Sequence, residues 1–330
     1  MNTKYNGLDF IKESMPDEPL LRFKGSSIDE FEKWAKKSKN KIKEIMGINR
    51  LKRKEPKGEL LESVDKGDYV REKYKINTFN NVEMPFYVLK AKGKRNGKAF
   101  IAIHGHGSDG KEGLVGNEAE GYKESIKKYS YTYAFELMDK GYAVYIPDIL
   151  GAGERTLGIY NDNRAECNDI NNALISLGMC LQGVILFENM CLAEYIYGLG
   201  YDEINCCGFS GGGHSALWLA VMCDRINETV VSGFLHGFKD TLIYQNRCGC
   251  NFIPNQWRYV DMGDILAMGA PKKIYIETGN EDKLNGERGI EGVKEQIAIA
   301  QVCYDLFGEK INISLGEGGH KWYGLFMDRF

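Results

Sequence analysis

No excess of charge, no long apolar run and no internal repeat marks this chain, and each absence narrows what it can be. Its 43 basic and 46 acidic residues leave a net charge of −3. That balance supports neither nucleic-acid binding nor attraction to a membrane surface. Residues 1–23 are polar and mixed in charge, with no h-region, so neither a signal peptide nor a membrane span is expected and the expected location is cytoplasmic. The nine cysteines are odd in number and sit mostly inside apolar runs, at Cys180, Cys191, Cys206, Cys207, Cys223 and Cys303. This is the usage of a reduced protein rather than a disulfide scaffold. Cys248-Gly-Cys250 suggests half of a metal site, but no second pair surrounds it at ligand spacing, so no metal is expected.

What is present is an ordinary globular composition, 43% hydrophobic and 27% charged over 330 residues. The length suits one large α/β domain with an extension, or two small domains. Residues 1–65 read as a polar helical N-terminal extension, with the capping box Ser27-Ile-Asp-Glu30 ahead of Phe31, Trp34, Ile42 and Ile45 at helical spacing. The basic run over 50–57 contains Pro56 and reads as a solvated linker. From residue 68 the period changes. Residues 69–79 and 82–89 alternate as an antiparallel hairpin. Compact apolar strands follow at 99–103, 142–147, 204–207, 229–235, 273–278 and 311–315. Helices are expected between them near 125–140, over 173–199, from residue 213 and near 293–307. Strands alternating with helices imply an α/β fold with a mostly parallel central sheet flanked by helices, spanning 66–330.

Ile204 to Ala216 holds the chain's clearest signal. A buried strand turns through Gly208-Phe209-Ser210-Gly211-Gly212 into an apolar helix, the strand–turn–helix context that a G-x-S-x-G nucleophile elbow requires. The serine of such a turn is strained, so the positions two before and two after it must be nearly free of side chain. Open parallel sheets build their sites at strand carboxyl ends, and three more strand ends carry chemistry. Gly279-Asn-Glu-Asp282 offers an acid, with Glu281 competing against Asp282. His320 follows the last strand in Gly318-Gly-His320. His104-Gly-His-Gly107 follows the first parallel strand. The order Ser210…Asp282…His320 is that of the α/β-hydrolases. A hydroxyl needs a base to take its proton, and a carboxylate on the base's other nitrogen fixes the tautomer. The backbone N–H groups of Gly211 and His106 are the expected oxyanion donors. His104 is expected to hold its loop by hydrogen bonds, and His214 to be a capping or pocket residue. Residues 110–135, 154–172 and 236–265 are expected to roof a pocket, with His236, Trp257 and Tyr259 lining it.

These motifs resemble those of bacterial α/β-hydrolases assigned as acetyl-xylan esterases, close to the dienelactone-hydrolase-like and cephalosporin-C-deacetylase-like groups. The resemblance covers residues 70–330. It rests on His104-Gly-His-Gly107, Pro147-Asp148 with Gly151-Ala-Gly-Glu-Arg155, Gly208-Phe-Ser-Gly-Gly-Gly213, Cys248-Gly-Cys-Asn-Phe-Ile-Pro254 with Tyr259-Val-Asp-Met262, and Glu317-Gly-Gly-His320. It implies a Ser210–His320–Asp282 triad, short acyl or acetyl esters as substrates, and no cofactor. Dienelactone hydrolases use a cysteine nucleophile where this chain has Ser210, so lactone chemistry of that kind is not implied. The expected partner is a small or carbohydrate-like ester, imported or intracellular, and a homo-oligomer is compatible with the sequence. Amide, peptide or C–C bond hydrolysis on the same triad is the alternative enzyme reading. A ligand-binding protein that keeps the fold without catalysis is the rival outside enzymes.

Overall fold

The computed structural model describes residues 7–52, 54–106, 110–116, 123–158, 166–242, 245 and 247–330. Nine strands form one sheet in the order β1-β2-β3-β5-β4-β6-β7-β8-β9. They are β1 (Gly58–Asp65), β2 (Tyr69–Phe79), β3 (Val82–Ala91), β4 (Ala99–Ile103), β5 (Ala143–Pro147), β6 (Ile204–Phe209), β7 (Ile226–Ser232), β8 (Lys273–Gly279) and β9 (Asn312–Gly316). The first three run antiparallel to their neighbours, and from β5 to β9 every pairing is parallel. This is the mostly parallel sheet expected, with an antiparallel hairpin on one side.

The helical segments are α1 (Gly7–Glu13), α2 (Ile28–Ile45), α3 (Gly110–Leu114), α4 (Lys123–Tyr129), α5 (Tyr133–Asp139), α6 (Cys167–Ser176), α7 (Leu181–Gly198), α8 (Gly211–Met222), α9 (Phe238–Thr241), α10 (Gln256–Tyr259), α11 (Met262–Ala267) and α12 (Ile290–Asp305). Period-2 alternation in β4 shows why the sheet needs cover on both faces. Ala99, Ile101 and Ile103 join the core beneath α7, α8, α11 and α12. Phe100 and Ala102 join a second core with α5 and the C-terminal Trp322 and Phe326. Every residue of α8 is buried, as a helix apolar all round must be.

Two expected elements differ. The single helix over 173–199 is two, α6 and α7, meeting at 96°. The chain turns between them at Gly178 with φ of 73°. The apolar run continues through the break, so composition alone conceals it. The helical extension ends at Ile45, and residues 58–65 are an edge strand paired with β2. Its side chains are almost all exposed, so no alternation advertises it. No single helix among the described residues is long and apolar enough to cross a membrane.

The N-terminal segment packs on the body of the protein. Phe31 meets Phe307 edge-on at 5.3 Å, and Arg22 Nε donates to buried Asp264 at 2.6 Å. The N–H groups of Leu20 and Leu21 donate to the carbonyls of Arg258 and Tyr259.

Candidate active site

Described residues following β4, β7, β8 and β9 gather around the turn that follows β6. Ser210 has φ 56° and ψ −121°, a conformation costly for any residue with a Cβ and persistent only where the surroundings impose it. They do so by close approach. A Cβ on Gly208 would stand 2.2 Å from the Gly212 carbonyl oxygen, and one on Gly212 would stand 2.1 Å from that of Ile103. Both positions therefore exclude side chains. The Ser210 N–H donates to the Ser232 carbonyl at 2.9 Å, tying the apex of the turn to β7. Gly211 opens α8, so its N–H is among the first-turn donors with no intrahelical acceptor.

The turn after β8 brings Asp282 to His320. His320 Nδ1 donates to Asp282 Oδ2 at 2.6 Å, while Asp282 Oδ1 accepts from the Leu284 N–H at 2.8 Å. The Asp282 side chain is 1% exposed, whereas Glu281 is exposed, so of the two acids it is Asp282 that the fold buries against His320. Two further bonds stitch this turn to the histidine loop: Gly318 N–H to Asn280 Oδ1 and Glu281 N–H to the Gly318 carbonyl, each 2.9 Å. The imidazole of His320 packs against the Phe209 ring at 4.5 Å. Its Nε2 is buried and has no hydrogen-bond partner among the described residues. Ser210 and His320 line one cavity of about 480 Å³, with His106, Tyr129, Tyr131, Phe234, Arg247 and Lys283.

His106 and Gly211, the expected oxyanion pair, are in contact, and Gly105 runs so close that a Cβ there would come 2.8 Å from the Phe209 carbonyl. Gly107 lies outside the described residues. His104 holds the loop as expected: it bonds the Gly105 carbonyl through Nδ1 at 2.8 Å and accepts from the Ile149 N–H through Nε2 at 3.1 Å. Burial pushes its pKa down, consistent with a neutral ring carrying one donor and one acceptor.

The expected pocket aromatics are placed differently. His236 is buried against the Phe234 ring at 4.5 Å and does not reach the cavity lining. Burial, then Arg247, drives its pKa well below the usual histidine range. Trp257 faces Phe238 and a separate cavity beside Phe10, Ile11 and Met15. Tyr259 lies under the ammonium of Lys41. The segment after β7 turns back toward the N-terminal segment, taking both aromatics away from Ser210. His214 accepts from Trp218 Nε1 at 2.9 Å and stacks on Phe234, and burial lowers its pKa to about 3. It is a core residue within the elbow helix.

Three features escaped the sequence. Arg247 lines the cavity, and burial lowers its pKa against the opposing pull of Asp282. Glu277, buried in β8, accepts from the N–H groups of Tyr323, Gly324 and Leu325 and so anchors the chain just after His320. A carboxylate inside the apolar run Ile274-Tyr-Ile-Glu277 was the available signal, since such a group must find partners. Third, Cys248 and Cys250 are not an isolated pair: His106 and Cys167 meet them from distant segments.

The comparisons with known proteins agree with the fold. The model of the Abhydrolase family matches residues 11–300. This chain belongs to the Abhydrolase family. The α/β-hydrolase fold and the likeness to acetyl xylan esterases expected from the motifs both hold. A Bacillus subtilis protein assigned as a hydrolase, YtaP, is 24% identical over 225 residues, 64% of this chain and 70% of that protein. Among solved structures, a Bacteroides fragilis protein assigned as an acetyl xylan esterase superposes with TM-score 0.74 at 20% identity, covering 98% of this chain and 82% of its own. A glucuronoyl esterase from Solibacter usitatus gives 0.62 at 13% identity, covering 94% and 95%. At such identities the superpositions establish the shared fold.

Proposed function

We propose that this member of the family is a serine carboxylic-ester hydrolase acting on short acyl esters of a small or carbohydrate-like alcohol. The observation that carries the reading is the 2.6 Å bond from His320 Nδ1 to buried Asp282. It fixes the tautomer whose free Nε2 can accept a proton in the cavity shared with Ser210. In this reading Ser210 Oγ attacks the ester carbonyl as His320 takes its proton. The N–H groups of Gly211 and His106 receive the oxyanion. Collapse expels the alcohol, which leaves with the proton from His320. Water, deprotonated by the same nitrogen, then attacks the acyl-enzyme, releasing the acid and restoring Ser210. Asp282 stabilises the imidazolium in both halves. The esterases among the fold's neighbours support the substrate class. Arg247 and Lys283 in the cavity lining favour an ester with an anionic group near the scissile bond. Nine cysteines without a disulfide suit a cytoplasmic setting.

The test is a panel of nitrophenyl esters of increasing acyl length, with matched anilides, assayed on wild type and Ser210→Ala. The proposal expects turnover highest for acetyl and abolished in the variant. Turnover of anilides above esters would favour the amidase alternative. No Ser210-dependent turnover of either would favour the non-catalytic one.

A further inference from the structure

His106 Nε2 and the sulfurs of Cys167, Cys248 and Cys250 all lie within 4.8 Å of one another. They come from three segments: the loop after β4, the first residue of α6, and the turn containing the 3-10 helix Gly249–Asn251. None of the three cysteines is in a disulfide. His106 Nε2 faces Cys250 Sγ at 2.7 Å, so the imidazole's ligating atom is directed into the sulfur cluster.

The surroundings are built to hold this convergence. Cys167 is the first residue of a ten-residue helix, so its Sγ is carried at a fixed helix end. The N–H of Gly249, between the two turn cysteines, donates to Asn168 Oδ1 at 2.6 Å, and a Cβ at 249 would meet the Cys167 carbonyl oxygen at 2.7 Å. Asn251 Nδ2 lies 3.6 Å from Cys250 Sγ and donates to the Cys248 carbonyl at 3.0 Å. Outer-shell bonds of this kind orient ligands around a metal.

We infer that His106, Cys167, Cys248 and Cys250 bind a structural zinc ion, which clamps the loop carrying His106 to α6 and to the 248–251 turn. Ligands about 2.3 Å (sulfur) and about 2.0 Å (nitrogen) from a tetrahedral zinc stand roughly 3.5–3.8 Å apart, so the observed spread closes on an ion with small side-chain shifts. Three thiolates and an imidazole suit zinc, and a full set of four protein ligands marks a structural rather than a catalytic site. A multi-iron cluster would need its ligands on separate irons, farther apart than this set allows. Each thiol gives up its proton to solvent as the ion binds, with no redox change. The inference stands apart from the esterase reading, because it is tested by metal content.

The test is elemental analysis of the full chain, purified without an affinity tag and kept under reductant. About one zinc per chain is expected, with loss to background in Cys248→Ser/Cys250→Ser and retention in Cys223→Ala, whose thiol lies outside the cluster. Chelated wild type reloaded with cobalt should show the thiolate-to-cobalt absorption of a tetrahedral site, which keeps the test open if the double variant misfolds. Folded wild type that takes up neither zinc nor cobalt would overturn the inference. So would a different metal in stoichiometric amount, or a disulfide joining two of the three cysteines under reductant.

Discussion

His106 lays its imidazole across Gly211: a Cβ at position 211 would stand 2.3 Å from both Cε1 and Nδ1 of the ring. The same ring faces Cys250 through Nε2. One side chain therefore touches the residue after Ser210 and the cysteine cluster. Gly211→Ala should push the ring away and disturb the N–H groups on both residues. Since misplacement of about 1 Å can cost roughly 10²-fold in rate, kcat for an acetyl ester should fall between about tenfold and about a hundredfold. Circular dichroism should be unchanged. An unaltered kcat would mean that the contact does not position the donors.

The two neighbouring acids should separate cleanly. Asp282→Asn keeps the shape but presents the wrong partner to His320 Nδ1, and kcat should drop by roughly 10³–10⁴. Glu281→Gln, at an exposed position, should stay within about twofold of wild type. Steady-state kinetics on one acetyl ester decides both, and similar losses in the two variants would refute the assignment of the acid.

Burial raises the Asp264 carboxyl to about 6, against the lowering effects of the Asp261 backbone N–H and Arg22. A carboxyl raised above its unfolded value near 3.9 favours the folded state most at low pH. That contribution is lost as pH rises through about 6. Arg22→Ala removes the cation and raises the carboxyl further. The variant should lose about 3 kcal/mol at pH 8, where a buried charge is left unpaired, and clearly less at pH 5, where the folded protein can protonate it. Urea unfolding at the two pH values measures this; a loss larger at pH 5 would reverse the sign and contradict the account.

Arg247 shares the cavity with Ser210, and its Nη2 donates to the Leu284 carbonyl. Arg247→Met should raise KM about tenfold for an ester with a carboxylate beside the scissile bond, the scale of one charge-assisted hydrogen bond. Neutral acetyl esters should keep their KM. Equal effects on both substrates would show that the guanidinium serves only to hold the 284 turn.

The legible parts were those where burial writes itself into local pattern. Strands β4 and β5 are continuous apolar runs and β8 opens on Ile274-Tyr-Ile276, while the turn after β8 carries Asp282 and His320 follows β9. The elbow glycines announce a close approach before any coordinate exists. Residues 58–65 stayed hidden because an exposed edge strand needs no alternation, and the α6–α7 break because both helices are apolar enough to read as one. Trp257 and Tyr259 lie away from the Ser210 cavity, because a loop's composition does not set its direction. The cysteine cluster was invisible for a different reason. Its ligands come from three segments that only the folded sheet brings together, and a Cys-x-Cys pair alone carries no sign of them.

The central claim is that Ser210 is an activated nucleophile, served by His320. The direct measurement is covalent labelling with a fluorophosphonate, read by peptide mass spectrometry on wild type and His320→Ala. The account predicts a rapid single adduct on Ser210 in wild type, slowed by roughly 10³-fold or more in the variant. A folded wild-type protein that leaves Ser210 unlabelled, or labels it equally well without His320, would contradict it.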